Sequence, residues 1–108
     1  MDNSWKQTCL FAHMKVSAAM ETLEETSKGI ILVTDNESHL LGTITDGDVR
    51  RALLGGYTLA EPIGNIMNTN PSTCSPNDSD LHMDTLSIKH KIRSLPIVDK
   101  QKKVVGLF

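Results

Sequence analysis

The stretch Leu41-Gly42-Thr43-Ile44-Thr45-Asp46-Gly47-Asp48-Val49-Arg50-Arg51-Ala52-Leu53-Leu54 decides how this chain folds. Residues 40–45 read as a strand, and Val49, Ala52 and Leu53 recur on one face of a short helix that Gly55-Gly56 ends. The strand hands over to the helix at Thr45-Asp46-Gly47-Asp48. Working upstream, residues 30–34 are apolar and β-branched and Asp35-Asn36-Glu37-Ser38 is turn chemistry, so 30–45 is a hairpin. Before it, Val16, Ala19, Met20 and Leu23 recur at helical spacing on a Glu-rich stretch, which predicts an amphipathic helix over 15–26 closed by Gly29.

The same order of elements returns downstream. At an offset of 65, Thr8-Cys9 falls on Thr73-Cys74, Val16 on Leu81, Ala18 on Met83 and Leu23 on Ile88. At an offset of 64, Ile31 falls on Leu95, Val33 on Ile97, Asp35 on Asp99, Leu40 on Val104 and Gly42 on Gly106. The half-repeat is therefore expected to be about 64 residues long, with one residue lost between the blocks. A second helix is expected over 81–92, its stripe weakened by Asp84 and Thr85, followed by strands over 95–98 and 103–108 around Asp99-Lys100-Gln101-Lys102. The first motif takes residues 1–56, and 57–108 holds a connector, punctuated by Pro62, Pro71 and Pro76, and the second motif. Phe108 aligns with Ile44, so the second half is expected to stop at its last strand and the chain to be a fragment.

With 108 residues, 39% hydrophobic and 22% charged, the chain has room for one domain or two tightly fused halves, and the elements make it α+β. A formal charge of −2 gives no electrostatic drive toward nucleic acid or anionic lipid, and aromatic residues, 4% of the chain, supply no stacking platform for bases. No apolar run approaches the ~20 residues that cross a bilayer and no signal peptide opens the chain, so no membrane partner and a cytoplasmic location are expected. Cys9 and Cys74 read as reduced, small apolar residues without metal-ligand spacing.

Two roles compete for the Thr45–Asp48 segment. A helix N-terminus presents unpaired N–H groups and partial positive charge to a phosphate, and a carboxylate in its first turn suits a ribose diol. Equally, Thr45-x-x-Asp48 has the form of a capping box, which needs no ligand. A divalent metal between Asp46 and Asp48 would want further acidic or amide ligands nearby, and no metal is expected. No catalytic motif is present, and His13, His39, His82 and His90 sit in polar contexts expected to be surface.

The combination Gly42-x-x-Thr45-x-x-Asp48 with Leu95-Pro96-Ile97-Val98-Asp99 resembles a tandem pair of cystathionine-β-synthase (CBS) domains, a Bateman module. The run 41–54 with Ile66-Met67-Asn68-Thr69-Asn70-Pro71 is most similar to the CBS pairs fused to sugar-phosphate nucleotidyltransferases; arabinose-phosphate isomerases carry a similar segment. The resemblance implies two β-α-β-β-α half-repeats about a pseudo-two-fold axis, the second truncated. It implies a regulatory module without chemistry or a required cofactor, sensing AMP, ADP, ATP or S-adenosylmethionine between its halves for an attached catalytic domain, as a homodimer. A ligand-free dimerisation platform is the alternative. Carried over by position, Thr45 meets phosphate, Asp48 the ribose hydroxyls, and Thr43 and Gly47 the nucleoside by backbone. Gly64, Asn68, Ser94, Leu95 and Pro96 then line the opposite wall and Arg93 sits toward the phosphate, so that one site at most is whole.

Overall fold

The computed structural model describes residues 4–90 and 94–108, and Arg93 lies outside them. After a short 3-10 turn at Ser4–Thr8, strand β1 (Cys9–Phe11) leads to helix α1 (Val16–Thr26), strands β2 (Ile31–Thr34) and β3 (Leu40–Ile44) and helix α2 (Asp46–Leu54). A connector with a 3-10 turn at Ile63–Asn65 precedes helix α3 (Asp80–His90) and strands β4 (Pro96–Val98) and β5 (Val104–Leu107). β1 runs parallel to β2 and β2 antiparallel to β3 in one sheet; β4 and β5 form a second, antiparallel pair.

The ends of α1 and the start of α2 are set by specific hydrogen bonds. Lys15 caps α1 without a side-chain bond, and the orphaned N–H groups of Val16 and Ser17 donate instead to the carbonyls of Glu61 and Leu59 in the connector. The C-terminal turn is closed by Ser27, left-handed at φ 54°, two residues before the expected Gly29, which is itself left-handed at φ 77°. α2 starts at Thr45, whose hydroxyl accepts the Asp48 N–H while the Asp48 carboxylate accepts the Thr45 N–H.

The strand pairings of the two hairpins correspond at an offset of 64. Val33 pairs with Gly42 as Ile97 pairs with Gly106, and the register slips after Val33 as it does after Ile97. In the turns, Asp35 Oδ1 accepts the N–H groups of Glu37 and His39 at 2.9 Å, and Asp99 Oδ1 accepts those of Gln101 and Lys103 at the same distance. Ser38 and Lys102 both take positive φ. The tips then join each other, Leu40 N–H donating to Lys102 O and Val104 N–H to Ser38 O, both at 2.9 Å. That reciprocal pair is the pseudo-two-fold axis in hydrogen-bond form.

The offset of 65 expected for the preceding block is corrected to 64. Cys74 bridges Ile97 in parallel as Leu10 pairs with Val33, so Cys74 holds the place of Leu10, not of Cys9. In α3 the buried residue is Met83, the counterpart of Ala19, whereas Leu81 and Ile88 are 77% and 79% exposed. One residue turns a helix by about 100°, so matching apolar residues at the wrong offset places them on the wrong face.

The main core joins Val16, Ala19 and Leu23 of α1 to Ile31, Val33 and Ile44 of the sheet, Val49 of α2 and Ile63. Ile30, Leu32 and Val104 form a second cluster that links the halves. Cys74, Met83 and Leu95 make a third, smaller one under α3. Among the described residues no helix is long and apolar enough to cross a membrane.

Candidate ligand-binding cleft

The chain entering α2 creates the site. Thr43 is buried at the end of β3, where its N–H and C=O pair with Asn68 O and N–H at 3.0 and 2.8 Å, so the connector lies along the free edge of the strand. Gly42 permits this approach, because a Cβ there would stand 2.7 Å from Asn68 O. Two residues on, Thr45 turns the chain into α2. Asp48 Oδ2 accepts from Thr45 N–H at 2.9 Å and from the Thr45 hydroxyl at 3.1 Å, and Asp48 Oδ1 accepts from Arg51 Nη2 at 2.8 Å.

These groups surround a cleft of about 260 Å³. Thr43, Thr45 and Asp48 form one side with Arg51; Asn68, Asn70, Pro71 and Ser72 of the connector form the other; and Ile30 supplies an apolar surface. The volume is near the lower end of what a small-molecule site needs, roughly 300 Å³, and the chemistry is mixed: the apolar side chains of Ile30 and Pro71, hydroxyls, amides and one ion pair.

The expected site residues do not all meet, and Arg93 lies outside the described residues. Thr43, Thr45, Asp48 and Asn68 meet in the cleft. Gly47 lies in the first turn of α2, where a Cβ would come within 3.1 Å of Arg51 Nη1. Ser94 sits beside the loop before Ile30, its hydroxyl donating to Lys28 O at 2.9 Å. Leu95 and Pro96 are fully buried, Leu95 against Cys74 and Met83, so they present no side chain to a ligand. Gly64 is packed on the chain beyond β1, its N–H donating to Ala12 O at 2.9 Å, and is not among the residues lining the cleft. Ile30, Arg51, Asn70, Pro71 and Ser72 line the cleft without having been expected there. Arg51 alone carried a signal, being the cation one helical turn after Asp48.

A second cleft of about 280 Å³ lies where the halves meet, between Leu40 and Leu41 of one and Val98 and Lys102 of the other, and shares Asn70 and Pro71 with the first. The thiols take no part in the Thr45–Asp48 cleft: burial pushes Cys9 up to about 11 against the opposing pull of Lys6, and burial followed by the charge of Asp78 raises Cys74. Among the described residues no group of three or more His, Cys, Asp or Glu is placed to hold a metal ion.

The CBS domain pattern matches residues 7–55 and again 63–108. Arabinose 5-phosphate isomerase GutQ of Shigella flexneri is 33% identical over 105 residues, covering 97% of this chain and 32% of its own length. The chain thus spans about a third of the curated relatives it matches. Among solved structures, the CBS domain pair of protein MJ0100 in complex with 5'-methylthioadenosine and S-adenosyl-L-methionine superposes with a TM-score of 0.80 at 24% identity, covering 93% of this chain and 78% of that one. The CBS domain protein PAE2072 from Pyrobaculum aerophilum, complexed with AMP, superposes equally well at 0.80 and 22% identity, over 93% and 77% of the two chains. At such identities the superpositions establish the fold.

Proposed function

From the premise that this chain belongs to the CBS-domain family and carries two copies of the motif in tandem, we propose that it is a regulatory module. In this reading it binds an adenosine nucleotide in the cleft at the start of α2 and passes that occupancy to an attached catalytic domain. The observation that carries the reading is the meeting of Thr45, Asp48, Thr43 and Asn68 around one cleft beside an apolar side chain. Asp48 faces the ribose, the N–H groups at the head of α2 face phosphate, the Thr45 hydroxyl exchanges its bond to Asp48 for one to phosphate, and Ile30 offers a surface to the base. Gly47, in the first turn of α2, supplies a backbone contact to the nucleoside.

The attached activity is proposed to be that of a sugar-phosphate enzyme. Between the two considered, the curated relatives favour an isomerase acting on a sugar phosphate over a nucleotidyltransferase. The module works in the cytoplasm as a homodimer and takes no part in the chemistry. Ligand regulates by binding one arrangement of halves or protomers more tightly than another; equal affinity for both would regulate nothing.

A second reading, a ligand-free dimerisation platform, is favoured by one observation: the capping box is closed and both carboxylate oxygens of Asp48 accept bonds from groups of this chain. A thermal-shift series with AMP, ADP, ATP and S-adenosylmethionine on the chain and on Asp48→Ala separates the two. A ligand at 100 times its Kd raises Tm by on the order of 10 °C in a domain of this size. Such a rise with an adenosine ligand, absent in Asp48→Ala, supports the sensor. No rise with any of them, together with concentration-dependent association, establishes the platform instead.

A further inference from the structure

Asp48 and Arg51 are the charged residues among those described as lining the cleft, and they are bonded to each other. The carboxylate is divided. Its Oδ2 is fixed by the Thr45 N–H and hydroxyl, which leaves Oδ1 as the oxygen able to accept from a ribose hydroxyl. Oδ1 is held by Arg51 Nη2 at 2.8 Å. The two partners differ in exposure: the Asp48 side chain is 19% exposed and held by the cap, whereas that of Arg51 is 71% exposed. Gly47 keeps the seat of the guanidinium clear, since a Cβ at that position would crowd Nη1 and Nη2 at 3.1 and 3.3 Å.

We propose that Arg51 makes the cleft selective for a ribonucleotide that carries phosphate: it occupies Asp48 Oδ1 when the cleft is empty and transfers to the ligand's phosphate when a ribose hydroxyl takes that oxygen. The inference rests on the nucleotide reading of the cleft and deepens it by naming the ligand class. A nucleoside without phosphate breaks the Arg51–Asp48 pair and returns nothing to the guanidinium. A nucleotide replaces the pair with two bonds, hydroxyl to carboxylate and guanidinium to phosphate, and the planar fork of Arg suits phosphate better than a point charge would.

The test is calorimetric titration of the whole chain with AMP and with adenosine, repeated on Arg51→Gln and Arg51→Lys. Arg51 is an exposed side chain, and circular dichroism of both variants confirms that they fold. The wild type is expected to favour AMP by about tenfold or more, the worth of a charge-assisted hydrogen bond or better. Arg51→Gln is expected to weaken AMP and to spare or strengthen adenosine, so that the ratio falls toward one, while Arg51→Lys recovers part of it. An AMP-to-adenosine ratio unchanged by Arg51→Gln, with both ligands bound and both lost in Asp48→Ala, overturns the role of Arg51 and leaves the cleft standing. Failure of both ligands to bind the wild type overturns the cleft and the role of Arg51 together.

Discussion

The two hairpins of this molecule are nearly one object, yet the packing around them differs. β2 and β3 share register, slip, turn hydrogen bonds and left-handed residue with β4 and β5, 64 positions apart. Around the first pair, β1 adds a three-residue parallel ladder and α1 and α2 pack on the sheet. Around the second, the parallel ladder shrinks to one bridge at Cys74, and α3 buries Met83, with Leu86 partly buried beside it, while Leu81 and Ile88 face outward. The turn and register thus come from a few local residues, Asp35 and Asp99 above all, while stability comes from what is laid on the sheet. The cleft follows the packing, because it is made by α2 and by the connector on the edge of β3.

Core truncation at matched positions is the strongest way to sharpen that contrast. Ile31 and Leu95 are both fully buried, Ile31 in the large cluster and Leu95 in the small one. Urea denaturation is expected to give about 4 kcal/mol for Ile31→Ala and about 2 kcal/mol for Leu95→Ala, the difference lying in how far each surround can collapse. Equal losses would break the contrast.

The paired glycines come next. A Cβ at Gly42 meets backbone, Asn68 O at 2.7 Å, and the Met67 side chain, whereas one at Gly106 meets Ile97 Cδ1 at 3.3 Å. Gly42→Ala is expected to cost about 2 kcal/mol and Gly106→Ala under about 1 kcal/mol, since a side-chain methyl yields where a backbone carbonyl on a ladder does not. A larger Tm loss in Gly106→Ala would show that the connector does not hold the β3 edge.

Helix starts give a smaller effect. Thr45 and Asp48 cap α2 reciprocally, whereas at α3 the Ser79 hydroxyl accepts the His82 N–H at 3.1 Å, without the same return bond among the described contacts. Thr45→Ala is expected to cost about 1 to 2 kcal/mol and Ser79→Ala about 0.5 kcal/mol in chemical denaturation. The reverse order would mean that the box is not what sets the start of α2.

How far the sequence showed these features depended on range. The capping box, the turns and the hairpin offset were legible because each is written within a few residues, Thr45-x-x-Asp48 or Asp35 to His39. The offset of the helices was not, because Leu81 and Ile88 match Val16 and Leu23 in character while only their facing separates core from surface. Nor were Ile30 and Ser72 legible as cleft residues, since an apolar residue before a strand and a serine in a connector have no local mark; the Asn68–Thr43 pairing that brings the connector in is non-local.

The smallest effect tests the turns. Backbone bonds from His39, with lesser help from the Glu37 N–H and the His39 side chain, hold the Asp35 carboxyl below its ordinary value of 3.8. A lowered value means that its contribution is present above 3.8 and is lost as pH falls through the folded value. The stability difference between wild type and Asp35→Asn is therefore expected to hold at neutral pH and to vanish in strong acid. A difference that stays constant across that range would remove the charge from the turn's explanation.

The central claim, that the cleft where Thr45 meets Asp48 is a nucleotide site and not merely a helix cap, is tested most directly by calorimetric titration of AMP into the wild type and Asp48→Ala. Both proteins should first be shown to be folded at the working temperature. The expected result is one AMP per chain in the wild type and a loss of on the order of 10- to 100-fold in affinity in Asp48→Ala. Equal binding by both proteins, or no binding by a folded wild type, would contradict it.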